Sequence, residues 1–230
     1  MNNKFFKSPS KSWGDKIVMM LVAVLSFCIT MLALIPFSHK HHKKLTEEAT
    51  LTIESEFYDY VARLTHLLDD DFFLKSCDDL IHDLRASIFG LGMAKDIAIF
   101  DPSGKVSCMS SERHPSFSIY SPVLTRLGDS AGHTTLAFTQ RVLTNNQALF
   151  LFFTKQHGRG ISVVFPKELL EVLISDIFRF GNIDYRIEIM GKTVISSVKS
   201  HQLRFEKVSS SVLPFTVYSA ISYPFYFQFL

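Results

Sequence analysis

The stretch DIAIFDPSGKVSCMS, residues 96–110, decides the fold class of this 230-residue chain. Two short apolar runs flank a turn, in which Pro102 and Gly104 occupy favourable turn positions. The pattern predicts a β-hairpin whose second arm carries Cys108. The first question that the sequence raises is whether this cysteine has a partner.

More strands are predicted after the hairpin, and short turns join most of them. Strands joined in this way form an antiparallel sheet, and helices placed before and within the sheet imply an α+β domain. One such helix is predicted over residues 166–181, with Pro166 at its start and Gly181 at its end. We find no internal repeat. The remaining predicted strands are 134–140, 148–156, 160–165, a hairpin over 185–197, and 215–223.

Two amphipathic helices are predicted before the hairpin. In the first, apolar residues recur at spacings of three and four over residues 45–68, and Thr46 is predicted as its N-cap. The second begins after a Ser76 cap and ends at Gly90 or Gly92.

A long apolar segment, IVMMLVAVLSFCITMLALIPF at residues 17–37, contains no charged residue. About 20 such residues cross the hydrocarbon core of a bilayer as a helix, and no small-x-small cleavage site follows. We therefore predict an uncleaved transmembrane helix. A slight excess of lysines before it favours a cytoplasmic tail over residues 1–16 and an exported domain over residues 38–223.

Composition argues against several function classes. The net charge is only +2 and 47% of the residues are hydrophobic, which indicates neither disorder nor nucleic-acid binding. The sequence has no phosphate-binding glycine loop, dinucleotide fingerprint or zinc-ligand spacing. We therefore predict no catalytic residue, no metal site and no cofactor. The partner implied by the apolar segment is the lipid bilayer.

Three cysteines differ in their predicted environments. Cys28 lies in the apolar segment, where it is expected to behave as a small hydrophobe. Cys77 and Cys108 both belong to the predicted exported domain, and an oxidising compartment favours disulfides. We favour a disulfide between them, worth about 3–4 kcal/mol in the chain-entropy model. The alternative is two separate buried thiols.

The order of these features resembles the CSS-motif sensor domain, the periplasmic input domain of bacterial membrane-bound EAL-type cyclic di-GMP phosphodiesterases. The resemblance covers most of the chain. It implies a PAS/Cache-like exported domain in which Cys108 is the motif cysteine. Ser110 matches the second serine, with Met109 in place of the first; alternatively, Ser110 and Ser111 supply both serines. The matching segments are the N-terminal anchor, KSCDDL (75–80), GKVSCMSS (104–111), GRGISVVFPKELLEVL (158–173) and PFTVYSAIS (214–222).

The resemblance also implies a location and a signalling role. We expect a single-pass protein of the bacterial inner membrane whose C-terminal domain lies in the periplasm. Family members continue into a second transmembrane helix and a catalytic barrel of on the order of 250 residues. Residues 224–230 can be interpreted as the start of a truncated second helix. Since the barrel's metal ligands and Glu-Ala-Leu signature are missing from this sequence, we expect no phosphodiesterase activity from this chain.

Three functions remain open from the sequence. The first is a redox sensor of the cyclic di-GMP signalling type that responds through Cys77 and Cys108, with a homodimer or periplasmic thiol oxidoreductases as partners. The second is a Cache-like sensor of a small ligand. The third is a non-signalling remnant of a truncated phosphodiesterase.

Overall fold

The computed structural model describes residues 11–69, 75–112, 115–129, 133–140, 147–154, 159–179, 183–198 and 205–221, without the side chains of 11–13, 31–39, 140, 147 and 221. The chain divides into two compact units, Met1–His42 and Lys43–Leu230. The predicted exported domain, 38–223, corresponds mainly to the second unit. The predicted start of a second membrane helix, 224–230, lies outside the described residues.

Helix α1, Lys11–Leu64, begins in the first unit, where the described side chains of residues 14–30 are exposed. Cys28 is a free, exposed cysteine. Among the residues that the structure describes, no helix is long and apolar enough to cross a membrane.

Two parts of the predicted membrane topology fall on residues that are not described. Most of the predicted tail, residues 1–10, lies outside the described residues, and so do the side chains of residues 31–37 in the predicted span. The anchor and its orientation therefore stay predictions.

In the second unit, α1 presents a buried stripe with the predicted helical spacing. Its members lie three or four residues apart, which places them on one face of a helix. The predicted N-cap is wrong: Thr46 lies well inside α1, and its buried hydroxyl shares a hydrogen bond with that of Ser219. A 3-10 turn, Thr65–Leu68, follows the helix. The stripe is Ala49, Ile53, Phe57, Tyr60 and Leu64.

Helix α2, Cys77–Gly90, has the predicted bounds and cap. The Ser76 hydroxyl accepts a hydrogen bond from the Asp79 backbone N–H at 3.4 Å, which satisfies one donor of the first turn. Its buried residues Leu80, Ile81 and Leu84 face the core.

Sheet one has five antiparallel strands in the order β2-β1-β5-β4-β3. Its inner face packs into the same apolar core as α1, and its outer face forms a second, smaller core with helix α3, Ser121–Asp129. The strands are β1 Asp96–Phe100, β2 Val106–Met109, β3 Thr134–Gln140, β4 Gln147–Thr154 and β5 Gly160–Pro166.

The remaining strands form a separate sheet two, so the expectation of a single sheet is wrong. Hairpin patterns specify which neighbours pair, but they do not specify which hairpins share a sheet. Helix α4, Glu168–Arg179, connects the sheets, and the strand order in sheet two is β7-β6-β9-β8. These strands are β6 Ile183–Ile189, β7 Lys192–Ser196, β8 Glu206–Ser209 and β9 Phe215–Ile221.

The two sheets have similar strand orders, although they differ in the number of strands. When the strands of each sheet are numbered along the chain, their spatial order is 2-1-5-4-3 in sheet one and 2-1-4-3 in sheet two. Each begins with a hairpin that turns at a Gly-Lys pair, Gly104–Lys105 or Gly191–Lys192. Beyond this dipeptide the two sheets share no sequence pattern, and the prediction of no internal repeat in the sequence stands as a prediction.

The two hairpin glycines provide a matched pair for a first prediction. Both have positive φ, 84° at Gly104 and 75° at Gly191, where alanine costs about 1–2 kcal/mol. A Cβ at Gly191 would meet open space, whereas one at Gly104 would overlap Leu124 of α3 and lie 3.3 Å from the Ile119 carbonyl oxygen.

We therefore expect Gly104→Ala to lower the free energy of unfolding by at least about 1 kcal/mol more than Gly191→Ala, because it adds overpacking to backbone strain. Urea denaturation of the two variants measures the difference. Equal losses would show that α3 does not constrain this turn.

Candidate functional site

The disulfide predicted between Cys77 and Cys108 is present in the structure. Cys77 is the first residue of α2 and Cys108 lies in β2, and their Cα atoms are 5.3 Å apart. Cys108 is 1% exposed, whereas Cys77 is half-buried; both pack in the main core. The bond therefore joins a helix to a strand and leaves one cysteine partly accessible.

A β-bulge places the Cys108 side chain on the inner face of sheet one. Cys108 pairs with Ile99 and Val106 pairs with Phe100, which leaves Ser107 as the extra residue. Alternate residues of a regular strand face the same side. Because of the bulge, Val106 faces the outer core and Cys108 the main core.

The two predicted motif serines contact one carboxylate. The hydroxyls of Ser110 and Ser111 donate hydrogen bonds to the Oδ1 and Oδ2 atoms of Asp96, at the start of β1. Ser110 is only 3% exposed; its Oγ also accepts from the Ile97 N–H at 3.1 Å, and its N–H donates to the Ile97 carbonyl at 2.9 Å. We call Asp96, Ser110 and Ser111 the Asp96 cluster.

A second contact joins α2 to the end of β2. The Arg85 Nε donates a hydrogen bond to the Ser110 carbonyl at 2.9 Å. Neither Asp96 nor Arg85 is indicated by the sequence patterns. Asp96 was seen only as the first residue of a strand, and no sequence spacing links either residue to the serines. That Cys108, Ser110 and Ser111 constitute the family's motif stays a prediction.

The opposite end of the hairpin contains a second well-bonded carboxylate. Asp101 Oδ1 accepts hydrogen bonds from the Ser103 hydroxyl at 2.6 Å, the Ser103 N–H at 2.9 Å and the Lys105 N–H at 3.0 Å. The pKa of Asp101 is lowered, mainly by the hydrogen bond from the Ser103 hydroxyl. These bonds fix the turn, two residues beyond Ile99, which pairs with Cys108.

A cavity of about 290 Å³ lies on the outer side of sheet one, beside α3. Its volume is near the lower end of small-molecule sites. None of its described lining residues is Asp, Glu, Lys or Arg, so an occupant would be held mainly by apolar contacts. The lining residues are Phe100, Pro102, Leu124, Leu127, Gly128, His133 and Thr154.

Metal binding has no support in the described part of the chain, where no group of three or more His, Cys, Asp or Glu residues is arranged to hold an ion.

No protein-family model matches the chain, and no curated protein matches it. Several solved structures are similar. An extracellular ligand binding receptor from Desulfohalobium retbaense DSM5692 has a TM-score of 0.57 at 13% identity, covering 79% of this chain and 40% of that chain. This chain thus spans well under half of that receptor's length.

Two further structures match along nearly their whole length. The extracellular domain of rpHK1S-Z16, named as a histidine kinase, has a TM-score of 0.56 at 14% identity and covers 84% of this chain and 98% of its own. The ligand-binding domain of the Pseudomonas aeruginosa PAO1 amino acid chemoreceptor PctC, in complex with GABA, has a TM-score of 0.50 at 12% identity, covering 77% and 97%. At such identities the likeness shows the fold alone. The chain has the Cache/PAS-like α+β fold of extracellular sensor domains, with a long helix and antiparallel sheets.

Proposed function

We propose that this chain is a membrane-anchored periplasmic sensor domain that responds to thiol–disulfide state through Cys77 and Cys108. The observation that carries the proposal is the asymmetric burial of the bond between α2 and β2, in which only Cys77 is partly accessible. The sensor-domain fold supports a signalling role, and the anchor predicted at residues 17–37 supports the location.

We propose that reduction proceeds by attack of a dithiol on the sulfur of the less buried cysteine, Cys77. One thiolate of the dithiol bonds to Cys77 Sγ and the Cys77–Cys108 bond breaks, so that Cys108 leaves as a thiolate and takes up a proton. The second thiol of the reductant then displaces Cys77, which also takes up a proton. Two electrons and two protons pass to the chain, and the reductant becomes a disulfide. A periplasmic thiol oxidoreductase is a partner of suitable chemistry.

The output that we propose is cyclic di-GMP signalling, based on the resemblance of the sequence to the input domains of phosphodiesterases. In this role the chain itself is not an enzyme, and any catalytic step would belong to a partner or to an attached domain. A homodimer in the membrane is the assembly that we propose for the sensor.

A second candidate function is the binding of a small, uncharged ligand in the cavity beside α3. The favouring observation is its lining, which combines apolar side chains with Thr154 and His133. In this function the disulfide only stabilises the fold.

Redox titration distinguishes the two candidates. The full chain in detergent is equilibrated in glutathione buffers, and the thiols are counted by alkylation and mass spectrometry. The disulfide of a sensor should have a midpoint reduction potential above about −300 mV, because structural disulfides have potentials below that value. A pair that stays oxidised below that potential until the protein unfolds would contradict redox sensing and favour the cavity.

A further inference from the structure

The contacts of the Asp96 cluster do not depend on the disulfide. The cluster lies at the end of β2, just beyond Cys108, and joins β2 to the start of β1. The Ser110 N–H also donates to the Ile97 carbonyl at 2.9 Å. No sulfur atom takes part in these bonds, so reduction of the disulfide breaks none of them directly.

Helix α2 is attached to β2 at two points of unequal strength. At its first residue the attachment is the disulfide, and farther along it is the 2.9 Å hydrogen bond from Arg85 Nε to the Ser110 carbonyl. The acceptor of this bond belongs to the Asp96 cluster. Reduction removes the covalent attachment at Cys77, whereas the hydrogen bond from Arg85 involves no sulfur atom.

We infer that Asp96, together with Ser110 and Ser111, is a positioning residue for thiol–disulfide exchange: it holds the reduced Cys108 thiol opposite Cys77. The inference rests on the proposed redox function and assigns a role to the two serines. A fixed Cys108 raises the effective concentration of one thiol at the other, so that the bond re-forms readily. Opening is then local and reversible, and it changes only the start of α2.

The first test is the equilibrium of the full chain with glutathione. Asp96→Asn should shift the ratio of disulfide to dithiol about tenfold toward the dithiol, as expected for the loss of a charge-assisted hydrogen bond. Ser111→Ala removes one exposed hydroxyl and should shift the ratio in the same direction by a smaller factor. The control Asp101→Asn alters a carboxylate at the turn of the same hairpin that contacts neither motif serine, and it should stay within about twofold of the wild type.

Hydrogen exchange supplies the second test. In the reduced wild type, the amides of Asp79 and Leu80, which donate to Ser76, should lose protection while those at 106–110 keep theirs. In reduced Asp96→Asn, residues 106–110 should lose protection as well. An unchanged glutathione equilibrium in both Asp96→Asn and Ser111→Ala would overturn the inference and leave the redox function standing.

A different outcome would separate the two proposals. If the wild-type bond cannot be reduced without unfolding, the redox function fails. Positioning is then decided in the Cys77→Ser/Cys108→Ser variant, which lacks the bond. Protection at residues 106–110 that Asp96→Asn abolishes in this background would support positioning by Asp96, and equal protection with and without Asp96 would overturn it.

Discussion

Replacing Cys108 with serine should lower the free energy of unfolding by about 2–5 kcal/mol, the usual cost of losing a native disulfide. The reason is partly in the unfolded chain, which gains conformations when the link between residues 77 and 108 is removed. It is also in the folded chain, because a serine hydroxyl would replace a sulfur atom that is 1% exposed in the main core. Urea denaturation under oxidising conditions measures the change.

Three further variants make this prediction specific. Cys28→Ser alters a free, exposed cysteine and should change the free energy of unfolding by less than about 0.5 kcal/mol. Cys77→Ser should cost slightly less than Cys108→Ser, because Cys77 is only half-buried. The double variant should cost much less than the sum of the two, since the bond is lost only once. Strict additivity would mean that the bond contributes little to stability.

The sequence was informative where a single residue or a short pattern determines local structure. Ser76 capped α2 as expected, Gly104 turned the first hairpin, and the three-and-four spacing gave the buried stripe of α1. The cysteine pair followed from counting and from the predicted compartment. Each of these features depends on chemistry that lies within a few residues or on a residue type that is rare in the chain.

The missed features depend on contacts between distant segments. Thr46 has a suitable type for a cap, but the helix continues through it and its hydroxyl bonds to Ser219, 173 positions away. Asp96 contacts the serines only because β1 and β2 pair around a bulge. Helix α3 is not among the predicted elements, although Ser121 and Pro122 form a helix-start signal. Strand β8 is also not among them, and its four residues are too few to show a clear alternating pattern.

The splitting of the strands into two sheets illustrates the same limit. The hairpins of sheet one and sheet two read alike in sequence, each with a Gly-Lys turn between apolar arms. What separates them is α4, which enters the core through Leu169, Leu170 and Ile174 and ends before β6 begins. A pattern of alternating residues indicates which face of a strand is buried, but it does not indicate whether the strands before and after a helix belong to the same sheet.

Helix α1 contacts sheet one through a cluster of three aromatic rings, and this contact should be among the most sensitive parts of the fold. The Phe57 ring is 0% exposed and lies edge-on to Tyr60 at 6.2 Å and to Phe165 of β5 at 6.1 Å. Tyr60 in turn stacks on Phe165 at 4.9 Å. The three rings form one contact between the helix and the strand at the middle of the sheet.

Phe57→Ala should therefore lower the free energy of unfolding by about 3–5 kcal/mol, because it removes a buried ring and leaves a cavity that α1 cannot close. The matched control is Tyr58→Ala, one residue along the same helix, whose ring is 37% exposed and which should cost about 1 kcal/mol or less. The double variant Phe57→Ala/Phe165→Ala should lose less free energy of unfolding than the sum of the two single variants, because both rings contribute to one cluster. A loss for Phe57→Ala as small as that for Tyr58→Ala would show that α1 is not held to the sheet through these rings. Any signal passing from sheet one to α1 would then need another route.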